Sequence, residues 1–200
     1  MRYSAFAVCA VNAATAAGRL VNVTIDDTFG DERTGAIPKY TSAHLWNARS
    51  ATDGCTTCYA QPDGSQFHHN TWHDETTFTG QIPSNMSLSF MGTSIRMYCA
   101  LANKLDIKLT NRATHLAFYL DDSAVPASTF DHEPTNDPGF IYNQLVFESD
   151  NLPLGQHTVV LSNLGTLDKG SLVLFDYAVY TYVRRSVIKV TSVRKKLRGL

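Results

Sequence analysis

The sequence predicts a single all-β domain, a sandwich or a barrel, and three observations predict it. Short segments of alternating polarity, rich in β-branched and aromatic residues, recur along the chain and are bounded by Gly, Pro, Asn and Asp. Helical periodicity is hard to find. The third observation is composition: 200 residues, 44% hydrophobic, 10% aromatic and only 18% charged, suffice to bury one core and do not fit a disordered chain.

In chain order the expected strands are Val21–Ile25, Ser87–Met91, Ser94–Cys99, His115–Leu120, Tyr142–Phe147, His157–Ser162 and Leu172–Val183. Met91-Gly92-Thr93 reads as a hairpin turn between two of them. Asp121-Asp122 follows a strand and reads as a turn. The last segment is apolar on nearly both faces from Leu172 to Tyr180, as a strand buried between layers must be. Asp176 interrupts it, and a carboxylate there needs hydrogen bonds or a cation. The stretch from Asp26 to Thr79 is different in character, with six Gly and Pro residues between Gly30 and Gly64. It reads as loops crossing the ends of the sandwich, where binding residues tend to sit.

Both ends differ from the body. Residues 1–18 pair one positive charge with a short apolar stretch and small residues, the pattern of a signal peptide, and imply an extracellular address. The sequons Asn22-Val23-Thr24 and Asn85-Met86-Ser87 are compatible with a secreted glycoprotein. Residues 19–183 form the expected domain and hold all eighteen acidic residues against nine basic ones. From Arg184 onward there are seven basic residues and no acid, which reads as a disordered tail. An acidic body disfavours nucleic acid as a partner, and no apolar run is long enough to span a membrane. With Cys9 inside the signal region, Cys55, Cys58 and Cys99 remain. A Cys55–Cys58 disulfide with Cys99 buried and free is the expected arrangement, and a Cys58–Cys99 bridge competes with it.

An ordered set of motifs adds a family. It opens with Ile25-Asp26-Asp27, Ile37-Pro38-Lys39-Tyr40 and Trp46, and continues through Cys55-x-x-Cys58, Thr71-Trp72-His73-Asp74 and Phe90-x-Gly92-Thr93. Phe118-x-Leu120-Asp121, Gly155-x-His157-Thr158 and Leu172-Val173-Leu174-Phe175-Asp176-Tyr177-Ala178 complete it. From about Val21 to Val183 the chain resembles the extracellular domain of fungal, chiefly basidiomycete, cell-surface proteins. That domain is similar to the galactose-binding-like jelly rolls of carbohydrate-binding modules, so the resemblance implies a jelly-roll β-sandwich. Members commonly continue into a Ser/Thr-rich stalk and a membrane helix, whereas here Arg184-Arg185-Ser186-Val187-Ile188-Lys189 and a basic end follow.

The richest chemical cluster is His68-His69-Asn70-Thr71-Trp72-His73-Asp74-Glu75. Cys55, Cys58, His69 and His73 approach a zinc-finger spacing, but Pro62-Asp63-Gly64 and Asn70-Thr71-Trp72 are poor material for the helix a finger needs. Asp74 and Glu75 would point apart on a strand, and no nucleophile elbow or metalloprotease helix is present, so an enzyme is not expected. A binding site needs less: Trp46 and Trp72 as faces for a sugar's C–H surface, with His73 and Asp74 for its hydroxyls. Asp26, Asp27 and Asp176 suit a structural Ca²⁺ joining first and last strands, as in many modules of this kind. The reading is a secreted or cell-surface, non-catalytic binding module with cell-wall or surface glycans as partners. The alternative is a structural or interaction protein without a small ligand, and exposure of the tryptophans separates the two.

Overall fold

The computed structural model describes residues 18–53, 61–104, 112–165 and 170–185. Residues 1–17 of the expected signal segment, the Cys55–Cys58 bridge and the tail beyond Arg185 lie outside the described residues. Within them the chain forms β1 (Gly18–Asp26), β2 (Gly30–Asp31), β3 (Lys39–Thr41), β4 (Asn47–Ser50), β5 (Thr71–Thr77) and β6 (Ser84–Gly92). It continues with β7 (Ser94–Ala102), β8 (Thr114–Leu120), β9 (Ser128–His132), β10 (Phe140–Ser149), β11 (Gly155–Asn163) and β12 (Ser171–Arg185). These make a jelly-roll β-sandwich of two antiparallel sheets. The first runs β10-β7-β12-β1-β2, with β5 also on β12 and β4 on β5; the second runs β3-β6-β11-β8-β9. All seven expected strands fall within these elements. The pairing of β1 with β12 extends from Gly18 opposite Arg185, slightly beyond the expected domain limits at both ends.

β12 organises the first sheet and is buried on both faces. Val173, Phe175, Ala178 and Tyr180 join the core between the sheets, with Leu88, Phe90, Phe118 and Leu161 from the second sheet. Phe118 stacks on Phe147 across the layers with ring centroids 4.7 Å apart. Leu172 and Leu174 face the other way, into a smaller cluster with Phe67, Trp72, Ala100 and Ala102. The segment carrying Phe67 contains two 3-10 turns, Gly64–Gln66 and His68–Asn70, and covers this outer face. Burying each large apolar side chain contributes about 1.5–3 kcal/mol, which two covered faces bring to one strand.

Two local expectations are corrected. Met91-Gly92-Thr93 does not close a hairpin, because β6 and β7 belong to different sheets. The turn is a corner of the sandwich, and Gly92 allows it: a Cβ there would stand 2.5 Å from the Thr181 carbonyl oxygen. The stretch from Asp26 to Thr79 is not all loop, for it contains β2 to β5. β5 has a polar sequence yet buries Thr71, Trp72, Glu75 and Thr77. Glu75 is satisfied there by Asn163 Nδ2, which donates at 2.5 Å, and by the Thr77 hydroxyl at 3.0 Å. Burial pushes the Glu75 carboxyl above its usual range, against those hydrogen bonds. Asp121 and Asp122 form a turn as expected, both with left-handed backbone.

A change of partner strand along β12 positions Asp176. β5 pairs with Ser171–Phe175, and β1 pairs with Tyr177–Arg185. On its other side, β12 pairs with β7 in a register that shifts between Phe175 and Tyr177. Asp176 therefore sits at a bulge, at the point where one partner strand ends and the other begins.

Candidate functional site

The seam at Asp176 gathers the three aspartates expected at a metal. Asp26, Asp27 and Asp176 are all buried, although they lie up to 150 residues apart in sequence. The Asp27 amide donates to the Asp176 carbonyl at 3.1 Å, and the His68 amide donates to Asp176 Oδ1 at 2.9 Å. Asp26 Oδ1 caps the turn after β1, accepting from the amides of Thr28 (2.9 Å) and Phe29 (2.7 Å). Its other oxygen lies 3.1 Å from His69 Nδ1. Asp27 accepts from the hydroxyls of Thr71 and Thr28, each at 2.7 Å, and lies 2.7 Å from His73 Nδ1. Tyr40 stacks on the His73 ring at 4.1 Å and donates its hydroxyl to the Asp27 carbonyl.

Burial governs the electrostatics of this seam. It pushes the Asp176 carboxyl up to about 7, against the bond from the His68 amide, and the nearby Asp27 and Asp26 add to the rise. Asp27 is also raised, by burial first, although His73, Thr71 and Thr28 oppose it. Among the described residues no lysine or arginine pairs with any of the three; His69 lies against Asp26 and His73 against Asp27, while the Asp176 carboxylate takes a backbone amide.

The donor set suits Ca²⁺ poorly. That ion takes six to eight oxygens, and both oxygens of Asp27 are already occupied by two hydroxyls and an imidazole. Beside Asp26 the available groups are ring nitrogens: the candidate ligand atoms of Asp26, His68 and His69 lie within 4.8 Å of one another. The adjacent histidines were visible in the sequence, but nothing there linked them to Asp26.

The expected sugar contacts are dispersed. Trp46 and Trp72 are each only 6% exposed and belong to different core clusters, so neither ring offers a platform. Trp72 stacks on Phe67 at 4.5 Å, because the segment before β5 folds back over it. Trp46 packs against Tyr40 at 5.0 Å. His73 is held by Asp27 and Tyr40 as above. Asp74 faces the opposite side of β5 from His73 and forms an ion pair with Arg49 at 2.8 Å. Of the zinc-finger spacing, His69 and His73 serve different aspartates, and Cys55 and Cys58 lie outside the described residues.

A second concavity lies at the edge of the second sheet. β3 pairs with β6 at Lys39 opposite Ser87, and the chain before Lys39 diverges from that strand. The gap is a groove of about 400 Å³ lined by Ile37, Pro38, Lys39, Ser87, Ser89 and Thr158, among others. The Ser89 and Thr158 hydroxyls are 3.1 Å apart across the β6–β11 pair, and Ile37 is half exposed. Ile37, Pro38, Lys39 and Thr158 belong to the ordered motif set and Ser87 to a sequon, but nothing in the sequence marks them as one groove.

No protein-family model matches the chain, and no curated protein does. Solved structures similar to it include the Agl-KA catalytic domain, at 11% identity and a TM-score of 0.45, over 94% of this chain and 32% of that one. The chain thus spans about a third of the length of that protein. It is also similar to TmCBM61 in complex with β-1,4-galactotriose, at 12% identity and a TM-score of 0.38, over 68% of this chain and 88% of that one. A family 35 carbohydrate binding module from Clostridium thermocellum is similar at 12% identity and a TM-score of 0.36, over 72% and 97% of the two chains. With TM-scores below 0.5, none of them bears on the ligand or activity of this chain.

Proposed function

We propose that the chain is a non-catalytic carbohydrate-binding module of the cell exterior, and that its ligand lies in the groove between Ile37–Lys39 and β6. The groove carries this reading. Its volume is in the range of small-ligand sites, and its lining sets an apolar edge, Ile37 and Pro38, beside the hydroxyls of Ser87, Ser89 and Thr158. Sugars present the same two surfaces, C–H faces and hydroxyl rims. Lys39 adds a donor at the rim. The test is a glycan array with the purified protein and with Ser89→Trp, which fills the groove from an exposed position. Binding by the parent and loss in the folded variant supports the groove; binding retained in the variant moves the ligand elsewhere.

A second reading has its own observation. Both tryptophans are core residues, which favours a structural or interaction protein of the surface without a small ligand. An array on which the folded parent binds nothing selects that reading.

A further inference from the structure

We propose that Asp26, His68 and His69 form a binding site for a divalent transition-metal ion of zinc's type, independent of the carbohydrate groove. Two imidazoles and one carboxylate are a donor set of borderline softness, suited to Zn²⁺ and its neighbours. The set is nearly assembled. Asp26 Oδ2 and His69 Nδ1 are 3.1 Å apart, close to the ~3.3 Å edge of a tetrahedron with bonds of 2.0–2.1 Å. The candidate ligand atoms of all three residues lie within 4.8 Å of one another, so a small closure completes the site.

The local backbone explains how neighbouring histidines reach one ligand. In a strand, His68 and His69 would point to opposite faces. Here His69 has φ 51° and Asn70 φ 61°, and this left-handed turn brings the two rings to 4.1 Å. The site is also held from behind. Asp26 Oδ1 is fixed by the amides of Thr28 and Phe29, leaving Oδ2 to face the histidines. The His68 amide is tied to Asp176. Such outer bonds orient metal ligands.

Two independent observations point to a cation. His68 Nε2 is buried with no hydrogen-bond partner among the described residues, a costly state for a polar atom unless something meets it. And three buried aspartates lie side by side with no lysine or arginine paired to them among the described residues. A divalent ion at Asp26 offsets that charge. His69, whose side chain is 49% exposed, gives the site an opening to solvent and a place for water as a fourth ligand.

The test is calorimetric titration of the full chain with ZnCl₂ and, separately, CaCl₂, with Co²⁺ as a spectroscopic probe. The expected result is one equivalent of Zn²⁺, a rise in Tm of about 5–10 °C at a hundredfold excess over Kd, and no comparable response to Ca²⁺. His69→Asn keeps a residue that tolerates the left-handed backbone and is expected to weaken Zn²⁺ binding at least tenfold, as is His68→Gln. The Co²⁺ spectrum of the parent needs no variant and is expected to show nitrogen and oxygen ligation. No Zn²⁺ uptake by the parent overturns the proposal. So does unchanged affinity in both histidine variants, or a thiolate-to-Co²⁺ band lost in Cys55→Ser/Cys58→Ser.

Discussion

The Asp27 amide donates to the Asp176 carbonyl at 3.1 Å, and this bond closes the seam between the two strands that share one edge of β12. Without it, the Asp27 amide and the Asp176 carbonyl would be left unpaired at the bulge, between the end of β1 and the start of β5. The seam is therefore a structural joint first. Its side chains then bring carboxylates and imidazoles from distant parts of the chain within reach of one another.

Trp72 is a core residue, and its truncation tests that directly. Trp72→Ala is expected to cost roughly 3–5 kcal/mol, because the ring is stacked on Phe67 and packed among Leu174 and Ala100. Urea unfolding of parent and variant measures the loss. A cost below about 1 kcal/mol would mean that the ring is not buried as described.

The His157–Asp121 pair predicts a pH window. Nδ1 of His157 lies 2.6 Å from Asp121 Oδ2. Burial alone would lower the histidine, but the Pro153 carbonyl and Asp121 outweigh it and raise the ring above 6.5. Burial would raise Asp121, but His157 and the Thr158 amide hold it below 3.8. The raised histidine contributes fully below its unfolded value and loses that contribution as pH rises through the folded one. The lowered aspartate contributes above its unfolded value and loses that contribution as pH falls. The pair thus stabilises most between 3.8 and 6.5. Asp121→Asn, which suits the left-handed backbone at φ 51°, is expected to be most destabilising in that window. Its gap from the parent in urea midpoints narrows at alkaline pH.

Gly92 tests the sandwich corner. In Gly92→Ala the new methyl meets the Thr181 carbonyl oxygen at 2.5 Å, with Tyr180 and Phe90 rings close behind. A backbone atom cannot rotate away, so the strands must separate. The expected cost is about 1–3 kcal/mol, the range for overpacking, read from thermal or urea unfolding. A neutral variant would show that β6 and β12 approach less closely.

Cys99 is free and fully buried, and burial pushes its thiol far above the usual range. It is expected to resist thiol reagents in the native protein and to react as the protein unfolds. Peptide mapping after labelling, with and without denaturant, checks this. Rapid native labelling at Cys99 would place the thiol at the surface.

The sequence by itself determined the class of fold and most of its strands. Apolar alternation is a local signal, so β1, β6, β7, β8, β10, β11 and β12 could be read from their own residues. The buried character of β12 was equally local, and so was the anomaly of Asp176 within it. β5 was not legible, because its buried polar groups are satisfied by partners such as Asn163, 88 residues away. Trp72 misled for the same reason: its neighbours in sequence are polar, while its neighbours in space are Phe67, Ala100 and Leu174. The three aspartates were singled out together as a candidate metal set, but what surrounds them was decided by topology. Only when β1 and β5 meet end to end on β12 do His68, His69 and His73 arrive at the carboxylates. Local pattern records which face of a strand is apolar; which polar groups meet depends on the register between strands, and that exists only once the sheets have formed.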